Sequence, residues 1–172
     1  MPGIVRPMTR SKTLIIFFSR TGRTRRLAQR LAQLLGADVE EIECPRYRLG
    51  LFGWWRYLRA GFNSVQGNVP PIKDLQKNPA DYDRILLGTP IWTSYPSLPM
   101  RAFLRDTPEL PTSVAAFLTY GGQSEPDKAF DMMADMLGQP IKHRLAIKTE
   151  DGKLPDMDAK AARFANILES DA

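Results

Sequence analysis

The chain has 172 residues, 43% of them hydrophobic, a size that forms one domain burying about 70% of its unfolded surface without covalent staples. A single cysteine and a single histidine exclude an intramolecular disulfide and a zinc cluster of Cys and His ligands. The net charge of +5 is lopsided: residues 1–60 hold twelve Lys and Arg against four Asp and Glu, residues 61–172 twelve against fifteen.

Residues 13–18 (TLIIFF) form a short apolar, β-rich run, which predicts a strand covered on both faces. Residues 24–35 follow with Leu27, Ala28, Leu31, Leu34 and Leu35 at helical spacing and Gly36 as the stop. A weak strand is predicted over 38–43, and a strong one over 84–89 (RILLGT). A short helix over 99–106 turns Met100, Phe103 and Leu104 inward, and a fourth strand spans 113–120 (SVAAFLTY). The helix over 127–137 buries Ala129, Phe130, Met133, Met136 and Leu137, with Ser124 as its cap before Pro126. A fifth strand occupies 141–148, and Asp156 caps a last helix whose apolar face is Ala161, Phe164, Ala165 and Leu168. Strands alternating with helices predict an α/β domain with a parallel sheet, wound through right-handed crossovers. The expected domain covers 12–169, after a flexible N-terminus over 1–11. The connection over 44–83 is too long for a bare loop and predicts structure of its own.

The turn after the first strand reads Ser19-Arg20-Thr21-Gly22-Arg23-Thr24 and leads directly into a helix. A helix start carries about half a positive charge and favours Asp or Glu in its first turn. Here the first turn holds Arg23, Arg25 and Arg26 instead. A bound phosphate resolves that conflict, since the three hydroxyls and the free backbone N–H groups converge on it. The alternative is that Ser and Thr merely cap the helix above a solvated basic face. Neither the GxxxxGK[ST] triphosphate loop nor the GxGxxG dinucleotide fingerprint is present.

Residues 17–28 (FFSRTGRTRRLA) resemble the phosphate loop of the flavodoxin-like family, written with a Ser/Thr-x-Thr-Gly-x-Thr core. Residues 86–104 (LLGTPIWTSYPSLPMRAFL) resemble the family's segment after strand three. Residues 118–133 (LTYGGQSEPDKAFDMM) resemble its segment after strand four, in the two-glycine form seen in many flavodoxin-like proteins and quinone reductases. The resemblance implies a doubly wound five-stranded parallel sheet of order 2-1-3-4-5, with FMN in the crevice between strands one and three. It assigns the FMN phosphate to Ser19, Thr21, Gly22, Arg23 and Thr24; the family usually has Asn where this chain has Arg23. Pro90, Ile91, Trp92 and Thr93 match the loop along one side of the isoalloxazine ring. Thr119, Tyr120, Gly121 and Gly122 match the loop on the other.

Each assignment has a plainer counterpart. Trp92 is either a flavin contact or a core aromatic, with Tyr95 as the stacking residue in its stead. Gly121-Gly122 is either a flavin loop or a simple turn, and Gln123 faces either the flavin or solvent. His143 is expected to be structural and Cys44 inert. In carrier members of the family a glycine after strand three supplies a positive φ on reduction. This loop has none, so the resemblance implies two-electron cycling, on the premise that non-glycine residues resist that φ.

Residues 46–62 (RYRLGLFGWWRYLRAGF) place Leu51, Trp55, Leu58 and Phe62 on one helical stripe. The segment reads either as a second crossover helix or as a flap presenting Trp54, Trp55 or Tyr57 to the flavin or a partner. The expected function is an FMN-binding redox protein passing electrons through flavin. The resemblance implies a redox partner protein, or NAD(P)H and a quinone-like acceptor, as its partners, and a homo-oligomer stays open. The alternative is a flavin-free module that uses its basic half to bind an anionic ligand or a protein. No nucleic-acid motif accompanies the basic half. No run approaches the ~20 apolar residues of a membrane-spanning helix, and no signal peptide precedes the first strand; a soluble cytoplasmic protein is expected.

Overall fold

Strand β1 (Thr13–Phe17) is buried at every position, as its apolar run Leu14–Phe17 demands, and it lies inside the sheet with a neighbouring strand on each side. The computed structural model describes residues 11–47, 69–106 and 109–171. In chain order the elements are β1, α1 (Arg23–Leu35), β2 (Asp38–Glu41), β3 (Arg84–Trp92), β4 (Tyr95–Pro96), α2 (Leu98–Arg105), β5 (Ser113–Tyr120), α3 (Pro126–Leu137), β6 (His143–Lys148) and α4 (Met157–Ser170), with single 3-10 turns at Pro45–Tyr47 and Pro79–Asp81. The sheet runs β2-β1-β3-β5-β6 with every neighbour parallel, which is the expected 2-1-3-4-5 order of five strands. Ile15 stands beside Val39 on one side and Leu86 on the other, and Leu86 beside Ala115.

Alternate residues of each strand face opposite layers. Leu14, Ile16, Ile85, Leu87 and Leu118 pack with Met100 and Phe103 of α2 and with Phe130 and Met133 of α3. Ile15, Phe17, Leu86 and Ile147 pack on the other side with Leu27 and Leu31 of α1 and with Phe164 and Leu168 of α4. Gly88 in β3 serves the second layer by lacking a side chain: a Cβ there would lie 2.1 Å from Phe117 Cζ. The ring therefore crosses the neighbouring strand where no other residue would fit.

Gly36 ends α1 at φ 61°, its N–H bonding to Ala32 O, as its position predicts. Two predicted caps fail. Glu125, not Ser124, occupies the N-cap of α3 without a side-chain cap bond, and the Glu125 N–H is instead satisfied by Ser94 Oγ at 3.2 Å from across the fold. Asp156 does sit at the N-cap of α4, but at φ 53° with no side-chain cap bond. Strand β6 starts two residues later than predicted, at His143. The largest difference lies in β3, which runs three residues beyond the predicted 84–89 to Trp92, then reverses into β4. Of the 46–62 segment, Arg46 and Tyr47 form the end of the first 3-10 turn, with Tyr47 buried; Leu51, Trp54, Trp55, Tyr57, Leu58 and Phe62 lie outside the described residues, as do residues 1–10. No helix among the described residues is long and apolar enough to cross a membrane. No group of His, Cys, Asp and Glu side chains suited to a metal ion occurs among them either.

Candidate functional site

Three loops leave the carboxyl ends of β1, β3 and β5 and meet at one rim of the sheet. The first is the turn before α1. Gly22 takes φ 86° at the N-cap, a left-handed conformation that favours glycine, and its carbonyl accepts from Arg26 N at 2.9 Å. The first turn of α1 carries no acidic residue. Thr24 is 2% exposed, and its Oγ1 lies 2.8 Å from Thr119 Oγ1, fastening α1 to the end of β5. Ser19 is 7% exposed, and its Oγ has no hydrogen-bond partner among the described residues. A buried hydroxyl without a partner costs about 1–3 kcal/mol.

The second wall is the end of β3 and its hairpin. Two-residue hairpins turn most easily through residues with φ > 0, usually Asn-Gly. Here the turn residues are Thr93 and Ser94, at φ 53° and 65°. The expectation that a glycine-free loop avoids positive φ is therefore overturned: both residues already hold it. A cage of bonds keeps them there. Thr89 and Ser97 hydroxyls lie 2.7 Å apart in the core, Ser97 N donates to Pro90 O at 3.1 Å, and Ser94 Oγ accepts from Glu125 N. Trp92 is half-buried, edge-on to Phe18 at 5.8 Å and to Tyr47 at 5.1 Å, with the Arg20 guanidinium 5.8 Å from its ring centre. It is thus both a core aromatic and a wall of the site.

The third wall follows β5. Thr149, just past β6, bonds Tyr120 O through its amide at 2.6 Å and its hydroxyl at 2.9 Å. A Cβ on Gly121 would lie 3.0 Å from Thr149 Oγ1, so the glycine admits that contact. These walls enclose a cavity of about 450 Å³, within the usual range for small-molecule sites. It is lined by Thr21, Arg23 and Thr24 of the first loop; Pro90, Ile91, Trp92 and Thr93 of the second; and Thr119, Tyr120, Gly121 and Gly122 of the third. Ser19 lines an adjoining cavity of about 310 Å³, while Gly22 shapes the turn without lining either. Arg20, Ser124 and Thr149 also line the main cavity. Thr149 could have been found by extending to β6 the rule that ligands lie beyond the carboxyl ends of strands.

The cavity's lining includes two guanidinium groups, Arg20 and Arg23, and no carboxylate among the described residues. Arg25 points elsewhere: it forks onto Glu41 at 2.8 and 2.6 Å, a bond that raises its pKa. Tyr95 does not line the cavity, and packs instead under the Lys128 ammonium at 4.8 Å. Gln123 is exposed, and His143 bonds Asp171 at 2.8 Å on the far end of the sheet. Cys44 is buried with its thiol pKa pushed up by desolvation, which leaves it a poor nucleophile.

The sequence model of the flavodoxin family matches residues 12–154. The chain belongs to the flavodoxin family. No curated protein matches the chain. Solved structures of flavodoxin fold resemble it at low identity. A protein described as a flavoprotein from Bacteroides eggerthii DSM 20697 is 23% identical with a TM-score of 0.73, over 93% of this chain and 98% of that one. A flavoprotein from Lactobacillus acidophilus NCFM, solved in complex with FMN, is 22% identical with a TM-score of 0.64, over 79% and 93%. Oxidised flavodoxin 2 from Bacillus cereus is 17% identical with a TM-score of 0.61, over 94% and 100%. In this flavodoxin the loops carrying the three family motifs are the three walls of the main cavity.

Proposed function

We propose that this flavodoxin binds FMN with its ring in the 450 Å³ cavity and its phosphate toward the adjoining cavity of about 310 Å³ that Ser19 lines, and serves as a redox flavoprotein. The observation that carries the reading is Ser19 Oγ: a buried, partnerless hydroxyl in the loop before a helix whose first turn has no acid. A phosphate answers both deficits at once, accepting from the hydroxyl and from the helix's free N–H groups. The donor set around it fits the same group, with hydroxyls on Thr21 and Thr24 and amides at Gly22, Arg23 and Thr24. Trp92 and Tyr120 supply aromatic surface for the ring, and the side-chain-free Gly121-Gly122 backbone supplies amide donors for its carbonyls. Bound flavin supplies one- and two-electron redox chemistry. The protein's part is to hold the phosphate, orient the ring between Trp92 and Tyr120, and keep water from one side through the hairpin. The L. acidophilus protein's FMN complex supports the choice of flavin. The partners we propose, from the family resemblance, are a redox partner protein, or NAD(P)H and a quinone-like small molecule.

A visible spectrum of the purified protein, followed by titration with FMN, tests the reading. Flavin bands, or quenching of FMN fluorescence at micromolar protein, are expected. A colourless protein that leaves FMN fluorescence unchanged overturns it and favours the flavin-free anion-binding module. Ser19→Ala sharpens the result. It should weaken FMN binding by about 1–3 kcal/mol while leaving the melting temperature of the apoprotein unchanged or higher, because it removes a hydroxyl that has no partner there.

A further inference from the structure

Arg23 departs from the Asn that this position resembles in the family, and the fold builds a specific seat for it. Its Nε donates to Gly152 O at 3.1 Å, which spends one N–H and leaves both Nη groups over. No carboxylate pairs with them among the described residues. The seat is prepared from the other side as well. Gly152 sits in a tight turn clamped by Glu150 N to Lys153 O at 3.0 Å and Lys153 N to Glu150 O at 2.8 Å. A Cβ on Gly152 would stand 3.3 Å from Arg23 Nη2, and Gly152 already holds φ 76°, so glycine leaves the guanidinium its space. The side chain is half-buried and lines the main cavity at the start of α1.

A cation at the first turn of a helix opposes the helix dipole and gains nothing from the protein itself. Nearby Arg25 escapes that penalty by pairing with Glu41 at 2.6 Å. Arg23 has no such partner, yet it is the one the fold steers into the cavity. We infer that Arg23 is a specificity-determining residue that supplies a counter-charge to the cofactor's phosphate. This rests on the FMN reading above. Hydroxyls and amides donate to a phosphate oxygen but bring no net charge of their own. A fixed guanidinium adds an interaction that only a charged end group receives, and does so beside a wall free of carboxylates. The site therefore selects phosphorylated over unphosphorylated flavin, and its affinity for the former falls with ionic strength.

The experiment is a fluorescence titration of the full chain with FMN and with riboflavin, at low and high NaCl, in wild type, Arg23→Asn and Arg26→Asn. Arg26→Asn removes the same charge from an exposed position on the same helix that does not line the cavity. Arg23→Asn should weaken FMN binding about ten- to a hundredfold, the range of one charge-assisted bond. Its riboflavin affinity should stay within about twofold, and the salt dependence of FMN binding should flatten. Arg26→Asn should change the FMN-to-riboflavin ratio by less than about threefold. An Arg23→Asn protein that keeps the wild-type ratio, or a wild type whose FMN affinity ignores salt, overturns the inference alone. A wild type that binds neither flavin overturns the FMN reading and the inference with it.

Discussion

The two ends of the sheet treat polar and strained groups in opposite ways. At the amino end the chain settles its accounts locally. Arg84 is 6% exposed, burial lowers its pKa, and the carboxylates of Asp171, Glu169 and Asp83 act against that shift. Lys12 N donates to Asp83 Oδ2 at 2.8 Å, Tyr82 Oη donates to Asp38 at 2.8 Å, and both Lys142 and His143 bond Asp171. Positive φ at that end falls on glycines, Gly36 and Gly138, each closing a helix. At the carboxyl end Gly22, Gly122 and Gly152 hold positive φ too, but so do the non-glycine residues Thr93, Ser94, Asp151 and Asp156. There Ser19 Oγ lacks a partner and Arg23 lacks a carboxylate. One sheet thus carries an end whose polar groups are paired and an end that gathers left-handed turns and an unpartnered hydroxyl among the described residues.

The comparison fails first if the shared sheet fails. Gly88→Ala drives a Cβ into the Phe117 ring, at 2.1 Å from Cζ, and the rigid neighbours of both strands leave little room to shift. The expected loss is about 3 kcal/mol or more in denaturant unfolding. A milder pair of substitutions should separate the ends by sign. Gly36→Ala, at φ 61°, should cost about 1 kcal/mol, whereas Thr93→Gly, at φ 53°, should gain a few tenths to about 1 kcal/mol. If FMN binds here, the second change should also weaken it, since the hairpin is then free to leave its pose. Equal signs in thermal melts would show that the hairpin is not strained. The smallest effect concerns pH at the amino end. Burial, then the Asp38 bond, pushes the Tyr82 pKa up to about 12 from its ordinary 10. A raised folded pKa means stability that is complete below about pH 10 and lost as pH rises through 12. Tyr82→Phe should remove that part of the alkaline decline, read from melting temperatures between pH 9 and 12.

The strands and the buried helix faces were legible in the sequence because burial on two faces leaves apolar runs and one-sided burial leaves helical spacing. The sheet order was implied by the resemblance to the flavodoxin-like family. The α4 face of Ala161, Phe164, Ala165 and Leu168 is buried as its spacing predicts. The conflict in the first turn of α1 was legible too, since three arginines at a helix start need no structure to look misplaced. The hairpin was not, because Trp92-Thr93-Ser94-Tyr95 lacks the Asn-Gly signal that marks such turns. Its geometry comes from Thr89, Ser97 and Glu125, one of them 31 residues from Ser94. Capping failed because the N-cap falls one residue later than read: Ser124 lines the cavity, and the cap position goes to Glu125, whose amide is satisfied by Ser94. The adjacent Thr149 and Gly121 meet only through the β5–β6 pairing, Tyr120 beside Lys148.

The hairpin that closes the site also governs what else can join it. Trp92 and Tyr95 close the two-residue turn, so the next pair, Ile91 opposite Pro96, turns its backbone groups away from the hairpin. A passing extended peptide would dock on those outward groups and extend the ribbon as a third strand. Position 96 is a proline and offers no N–H there. The ribbon beside the cavity is therefore a poor template for strand addition, the more so because Ile91 and Pro96 are buried.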